Sequence, residues 1–310
     1  MKQAKITVAG AGNVGATAAF IASEKGLGDV VLIDIVEGLS EGKALDMAQA
    51  NAVYPAAGRV LGTRDWDASA GSDVVIITSG LARKPGMSRD DLLAKNAQIV
   101  KSVTEQVVRT SPEAIIIVVS NPLDVMTYVA ATVSGFETRR VMGMAGALDS
   151  ARFACFIAEA LGVYPGDVNG VLMGGHGDDM VPLPRYTTVS GVPLTDLMAA
   201  DRIEALVERT RKGGIEIVNL LGTSAYYAPA AGAVKMAEAI VKNTRQVICC
   251  CAYCDGPYGI RGEYVGVPAM LGNGGVEKVV ELTLNAQEQA MFDASAGHVR
   301  ELTAKVDTML

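Results

Sequence analysis

Near the start of the chain, the run Val8-Ala-Gly-Ala-Gly-Asn-Val-Gly-Ala-Thr-Ala-Ala-Phe20 leaves few folds open. Its glycines stand as Gly10-x-Gly12-x-x-Gly15, directly after the apolar Ile6-Thr-Val-Ala9 and directly before an alanine-rich stretch at 16–22. A turn that joins a strand to a helix offers unpaired N–H groups and the positive end of the helix dipole, which together bind an anion. In a turn of this kind the first glycine allows the corner and the second lets a pyrophosphate approach. The third lets helix and strand pack closely. The motif alone also fits a plain strand-to-helix corner. The spacing Gly10-x4-Gly15 matches a nucleoside-triphosphate loop too, but Ala16 stands where that loop needs lysine. Asp34 decides the reading. It closes the run Val30-Val-Leu-Ile33, nineteen residues after Gly15, where a carboxylate accepts from ribose hydroxyls and repels a 2′-phosphate. Its rival reading is an ordinary helix cap. Turn, strand, helix and acid in one unit predict NAD rather than NADP, held by Gly10, Ala11, Gly12, Asn13, Val14, Gly15 and Asp34.

The rest of the first half repeats the same rhythm. Short β-rich runs at 5–9, 30–34, 60–63, 73–78, 114–119 and 141–143 alternate with helical stretches at about 13–24, 40–51, 90–109 and 122–134. Several of the strands are continuous aliphatic runs, as in a parallel sheet covered on both faces. Past Gly146 the pattern changes. A helix at 148–161 leads into strand and loop pieces, then charged helices at about 195–212 and 224–242. Strands at 246–254, 263–267 and 276–282 follow, and a last helix starts near Asn285. The expected architecture is α/β, with an N-terminal Rossmann doubly wound parallel sheet over residues 1–144. A C-terminal α+β substrate-binding and catalytic domain takes 145–310.

Bulk properties narrow the function classes. With 27 basic and 34 acidic residues among 310, the net charge of −7 predicts neither nucleic acid nor anionic lipid as a partner. The longest aliphatic run, 114–119, is far too short to span a bilayer. The first strand starts almost at Met1, with no room for a signal peptide, so a cytoplasmic protein is expected. Cys249-Cys-Cys251 and Cys254 contain a C-x-x-C, yet Cys155 is remote and the histidines are only His176 and His298. The segment 246–254 reads as a buried strand in which cysteine serves as a small hydrophobe, and no metal is expected.

Hydride chemistry at an alcohol needs a group that takes the hydroxyl proton, and histidine is matched to that task near neutral pH. His298 sits among Ser295, Arg300 and Glu301 and reads as a solvated surface residue. His176 lies in Met173-Gly-Gly-His-Gly-Asp-Asp-Met-Val-Pro182, flanked by glycines that admit a ligand. A structural turn histidine is the alternative. Asp149 and Arg152, three apart on one helix face between apolar flanks, read either as a plain ion pair or as partly buried functional groups. Arg83 and Arg89 fall in a Gly- and Pro-containing loop after a strand, where Ser88-x-x-Asp91 reads as a loose capping box. They are either solvated charges or a lid that closes on an anion.

Four separated motifs now carry a family resemblance along essentially the whole chain: GAGNVG at 10–15, LARKPGMSR at 81–89, VSNPLD at 119–124 and GGHGDDMVP at 174–182. The chain resembles the NAD-dependent malate dehydrogenases of the lactate-dehydrogenase-like branch. The resemblance implies that His176 is the acid/base and that Asp149 orients it. It makes Arg152 the holder of the substrate's C1 carboxylate, and Arg89 the group that polarises the C2 oxygen when the lid closes. Asn121 would bond the substrate beside the nicotinamide. Asn96, Val119 and Ser120 would lie along the cofactor, and Ser224 would border the substrate. Arg83 would meet the distal carboxylate of a four-carbon diacid, where lactate-specific relatives carry a neutral side chain. A homodimer and a homotetramer are both compatible, and the cysteine-rich strand departs from the family pattern. The competing functions are a lactate dehydrogenase and a catalytically silent NAD-sensing regulator on the same scaffold.

Overall fold

The computed structural model describes residues 3–53, 58–81 and 88–309, with the main chain alone at Arg89. Its first half runs β1 (Lys5–Ala9), α1 (Asn13–Glu24), β2 (Asp29–Ile33), α2 (Leu39–Asn51), β3 (Val60–Thr63) and β4 (Val74–Ile77). It continues through α3 (Arg89–Thr110), β5 (Ile115–Val118), α4 (Leu123–Ser134) and β6 (Val141–Gly143). The second half opens with α5 (Gly146–Leu161). Five short strands follow: β7 (Val168–Asn169), β8 (Leu172–Gly174), β9 (Met180–Pro182), β10 (Thr188–Val189) and β11 (Val192–Pro193). Helices α6 (Leu194–Leu197), α7 (Ala200–Leu221) and α8 (Tyr227–Val241) lead to β12 (Gln246–Asp255), β13 (Arg261–Gly272), β14 (Gly275–Val279) and α9 (Ala286–Asp307).

Among the described residues, nine strands form one sheet in the order β14-β13-β12-β6-β5-β4-β1-β2-β3. The six from β1 to β6 are parallel and doubly wound, as their aliphatic character predicts. Every residue of β4 and of β5 is buried. The sheet's strand order reverses between β1 and β4, and there the carboxyl ends of the strands open a crevice. Gly10 after β1, Asp34 after β2, Leu81 after β4 and Ser120 after β5 all lie at that end.

The late strands do more than the sequence suggests. Rather than building a separate sheet, β12 pairs antiparallel with β6, Cys251 opposite Gly143, and β13 and β14 extend the sheet outward. Strand β6 is only three residues long and wholly buried, so its free edge needs a partner to satisfy its backbone groups. Cys250, Cys251 and Cys254 are 0 % exposed, which agrees with the reading of cysteine as a small hydrophobe. Burial pushes the Cys254 thiol up to about 12 and the Cys250 thiol higher still, so both stay protonated.

Helix α7 also differs from expectation, starting at Ala200 and running through Gly213-Gly214 to Leu221 rather than over 195–212. The glycine pair resembles a helix end, but the helix continues past it alongside Arg152. A Cβ on Gly213 would stand 3.4 Å from Arg152 Cδ, and one on Gly214 would stand 3.8 Å from Arg152 Nη2. A Cβ at either position would make only ordinary van der Waals contact, and each glycine costs about 1 kcal/mol of helix propensity.

Candidate active site

The glycine turn meets its steric requirements one glycine at a time. Gly10 has φ +103°, and a Cβ there would lie 2.7 Å from Thr78 Oγ1. A Cβ on Gly15 would lie 1.8 Å from the Gly10 carbonyl oxygen, so helix and strand touch at that point. A Cβ on Gly12 would meet nothing within 4 Å. Among the described residues, nothing demands glycine at position 12. Open space in front of a helix N-terminus that has no side-chain cap suits a phosphate group. Asp34 stands beside the turn, with Oδ2 accepting from the Ala11 N–H at 2.6 Å and Oδ1 from the Val36 N–H at 2.9 Å. Each oxygen keeps a lone pair for a sugar hydroxyl. Lys43, which sequence reasoning passed over, donates from Nζ to the Ala11 carbonyl at 2.7 Å. These residues fit a dinucleotide.

On the opposite side of the crevice, Val119 N–H donates to the Ile77 carbonyl at 2.8 Å and Ser120 Oγ to the Ser79 carbonyl at 2.6 Å. Asn121 is exposed, with its side chain available to a ligand. Asn96 is not. Its Oδ1 accepts from Leu81 N–H at 2.8 Å while Nδ2 donates to the carbonyls of Asn121 at 2.7 Å and Leu81 at 3.2 Å. Asn96 therefore braces the strand ends on which a ligand would rest.

His176 follows β8 between Gly174, at φ +76°, and Gly177, at φ +84°. Its Nδ1 lies 2.9 Å from Asp149 Oδ2, which fixes the ring and leaves Nε2 as the nitrogen free to exchange a proton. Asp149 sits in the first turn of α5 with its side chain 3 % exposed. Burial works against the imidazolium, but the Asp149 carboxylate, with Asp124 adding to it, outweighs burial and holds the His176 pKa above its ordinary value. The loop is anchored from four sides. Gly175 N–H donates to Ser295 Oγ at 2.8 Å, and His176 N–H to Asp124 Oδ2 at 3.0 Å. Arg211 Nη1 reaches the Asp178 carbonyl at 2.7 Å, and His298 Nδ1 lies 2.6 Å from Asp179 Oδ2. His298 is thus exposed, as expected, yet it is engaged with the His176 loop rather than simply solvated. Helix α9 packs along β8 and β9 and presents it there.

Arg152 comes from the same face of α5. Its Nη1 stands 3.6 Å from Asp149 Oδ1, and its buried Nε has no hydrogen-bond partner among the described residues. Burial draws its pKa down and the Asp149 charge opposes that. A desolvated guanidinium with an unused N–H is a receptor for a carboxylate. Ser224 is exposed in the turn between α7 and α8. Arg83 lies outside the described residues, as does the side chain of Arg89, whose main chain begins α3. The capping box read at Ser88 and Asp91 forms in full, with Asp91 N–H donating to Ser88 Oγ at 3.0 Å and Ser88 N–H to Asp91 Oδ2 at 3.2 Å.

Asp124 was not singled out as a site residue from sequence. It closes the VSNPLD run, and an acid in the first turn of a helix reads as a dipole partner. Its contact with His176 spans 52 positions.

Residues 4–143 match the lactate/malate dehydrogenase NAD-binding domain family, and residues 146–309 match the lactate/malate dehydrogenase alpha/beta C-terminal domain family. A malate dehydrogenase of Salinibacter ruber is 57 % identical, over 95 % of this chain and 94 % of that protein. The solved malate dehydrogenase of the same organism superposes with a TM-score of 0.95 at 54 % identity, covering 98 % of both chains. A lactate dehydrogenase of Cryptosporidium parvum, solved with lactic acid and nicotinamide adenine dinucleotide, gives a TM-score of 0.95 at 42 % identity, covering 99 % of both chains.

Proposed function

The chain belongs to the lactate/malate dehydrogenase family, and from that premise we propose that it reversibly oxidises (S)-malate to oxaloacetate with NAD. The observation that carries the chemistry is the His176–Asp149 contact beside an Arg152 with an unused buried N–H. NAD, when bound, supplies the hydride acceptor and donor. The glycine turn and α1 N-terminus hold its phosphates, Asp34 its ribose, and Asn121 the substrate side of the crevice. Arg152 binds the C1 carboxylate, and His176 Nε2 takes the C2 hydroxyl proton from malate or returns it to oxaloacetate. Asp149 keeps the ring oriented and offsets the charge that forms on it. Arg89 polarises the C2 oxygen, and Asn96 acts by positioning. Ser224 borders the substrate.

Fold similarity does not choose between malate and lactate, since both neighbours superpose equally well. The choice rests on Arg83, a cation that pairs with a second carboxylate and has no partner on pyruvate. NADH consumption measured side by side should favour oxaloacetate strongly over pyruvate. Arg83→Gln should shift that ratio toward pyruvate by about tenfold or more. Equal loss on both substrates would remove Arg83 from substrate choice.

The cofactor reading has its own test. A 2′-phosphate beside Asp34 would place like charges together, a juxtaposition that costs several kcal/mol. NADH should therefore exceed NADPH in kcat/KM by about 100-fold or more. Comparable values would overturn the role of Asp34.

We divide the chain at 144/145, a boundary that the two family matches at 4–143 and 146–309 support. We also infer a homodimer or homotetramer of the cytoplasm, acting in the tricarboxylic acid cycle. Exposed Leu220, Leu221 and Tyr227 at the α7–α8 corner support self-association.

A further inference from the structure

We propose that Asp124 is a positioning residue for His176: a second carboxylate that grips the histidine's main chain and supports its positive charge, with Cys251 packed beside that carboxylate. The inference rests on the reading of His176 as the acid/base.

Asp124 is a buried acid in the first turn of α4, and burying a carboxylate without purpose costs several kcal/mol. Its Oδ2 accepts from the His176 N–H at 3.0 Å, so it fixes the backbone at the very residue whose ring must meet the substrate. Asp149 grips the ring of the same residue at Nδ1 from α5. With main chain and ring held by two carboxylates on two helices, one of them on each side of the 144/145 division, His176 has little freedom to turn. The Cys251 thiol lies beside the Asp124 carboxylate, whose Oδ1 is buried with no hydrogen-bond partner among the described residues. Cys251 is itself fixed where β12 joins β6, opposite Gly143, at a spot so close that a Cβ on Gly143 would lie 3.1 Å from the Cys251 Cβ.

Among the described residues, the charged groups around His176 are Asp149 and Arg152 from α5, Asp124 from α4, Arg211 from α7, and the His298–Asp179 pair that ties the loop to α9. Asp149 and Asp124 favour the imidazolium, and Arg152 opposes it. Burial raises the pKa of Asp124 above its ordinary value, while the His176 N–H it accepts from works the other way.

Three variants test the proposal at saturating NADH. Asp124→Asn keeps an oxygen that can accept from the His176 N–H but removes the charge. The alkaline limb of kcat/KM for oxaloacetate, which reports loss of the imidazolium, should move to lower pH by about half a unit or more. Asp124→Leu removes the acceptor as well, and kcat should fall about 10- to 100-fold, as for a slightly misplaced catalytic group. NADH affinity should stay within about twofold in both. Cys251→Ala should lower kcat in the same direction by a few-fold. An unmoved limb in Asp124→Asn overturns the electrostatic role, and an unchanged kcat in Asp124→Leu overturns the grip. If Asp124→Leu does not fold, the Asn variant and Cys251→Ala still decide, since wild-type pH profile and kcat in both would sink the idea. Activity retained in His176→Asn would instead overturn the acid/base reading, whatever Asp124 does.

Discussion

Replacement of His176 by asparagine is expected to lower kcat for oxaloacetate reduction by about 10²- to 10⁴-fold, the span that general acid–base catalysis contributes. Asparagine can still meet Asp149, so the loop should keep its place, and NADH titrations should match those of the wild type. The wild-type pH profile carries the same assignment. Reduction consumes a proton from the imidazolium, and Asp149 holds the His176 pKa above its ordinary value of 6.5. Oxaloacetate reduction should therefore persist to a higher pH than a free imidazole would allow. Malate oxidation, which needs the neutral ring, should rise through the same limb as pH increases. If His298→Asn caused the larger loss, the assignment of the base would be wrong, because His298 reaches only Asp179 of the same loop.

Arg152→Gln should be nearly as damaging and should fail differently. Removing one partner of a desolvated charge pair costs on the order of 2–5 kcal/mol, because the other charge is left without a partner. At about 1.4 kcal/mol per decade, kcat/KM for oxaloacetate should fall roughly 30- to 4,000-fold. Pyruvate shares the C1 carboxylate and should lose in proportion, which separates Arg152 from Arg83. A second signature lies in the pH profile. Arg152 opposes the imidazolium, so its loss should carry the alkaline limb to higher pH. Unchanged kcat/KM for both acids would show that the unused Nε serves no carboxylate.

The local chemistry of the site was largely legible in the chain. Gly10 and Gly15 announce a turn that other residues cannot make, and Asp34 completes it two elements later, within one short-range unit. His176, Asp149 and Arg152 stand out as polar residues in apolar or glycine-rich surroundings. What escaped is non-local. Asp124 looks like a helix-end acid because its partner is a main-chain N–H more than fifty residues away, and side-chain pattern says nothing about backbone partners. Gly213 and Gly214 read as a helix end because propensity is local and does not see the packing of α7 against α5 that carries the helix past them. The joining of β12 to β6 is a pairing of edges, and aliphatic periodicity reports that a strand is buried without naming its neighbour.

Strand β13, joined through β12 to β6, also packs against β8, with Gly266 against Gly174, so the groups contributed by Asn121 and by His176 are linked through neighbouring strands of one packed core. Such a connection turns the encounter of two sets of reactive groups into an internal matter of the chain, at an effective molarity fixed once, when the protein folds. The entropy lost in bringing them to register belongs to folding, and no turnover has to meet it again. For these groups the spacing behaves like a vice already set to width.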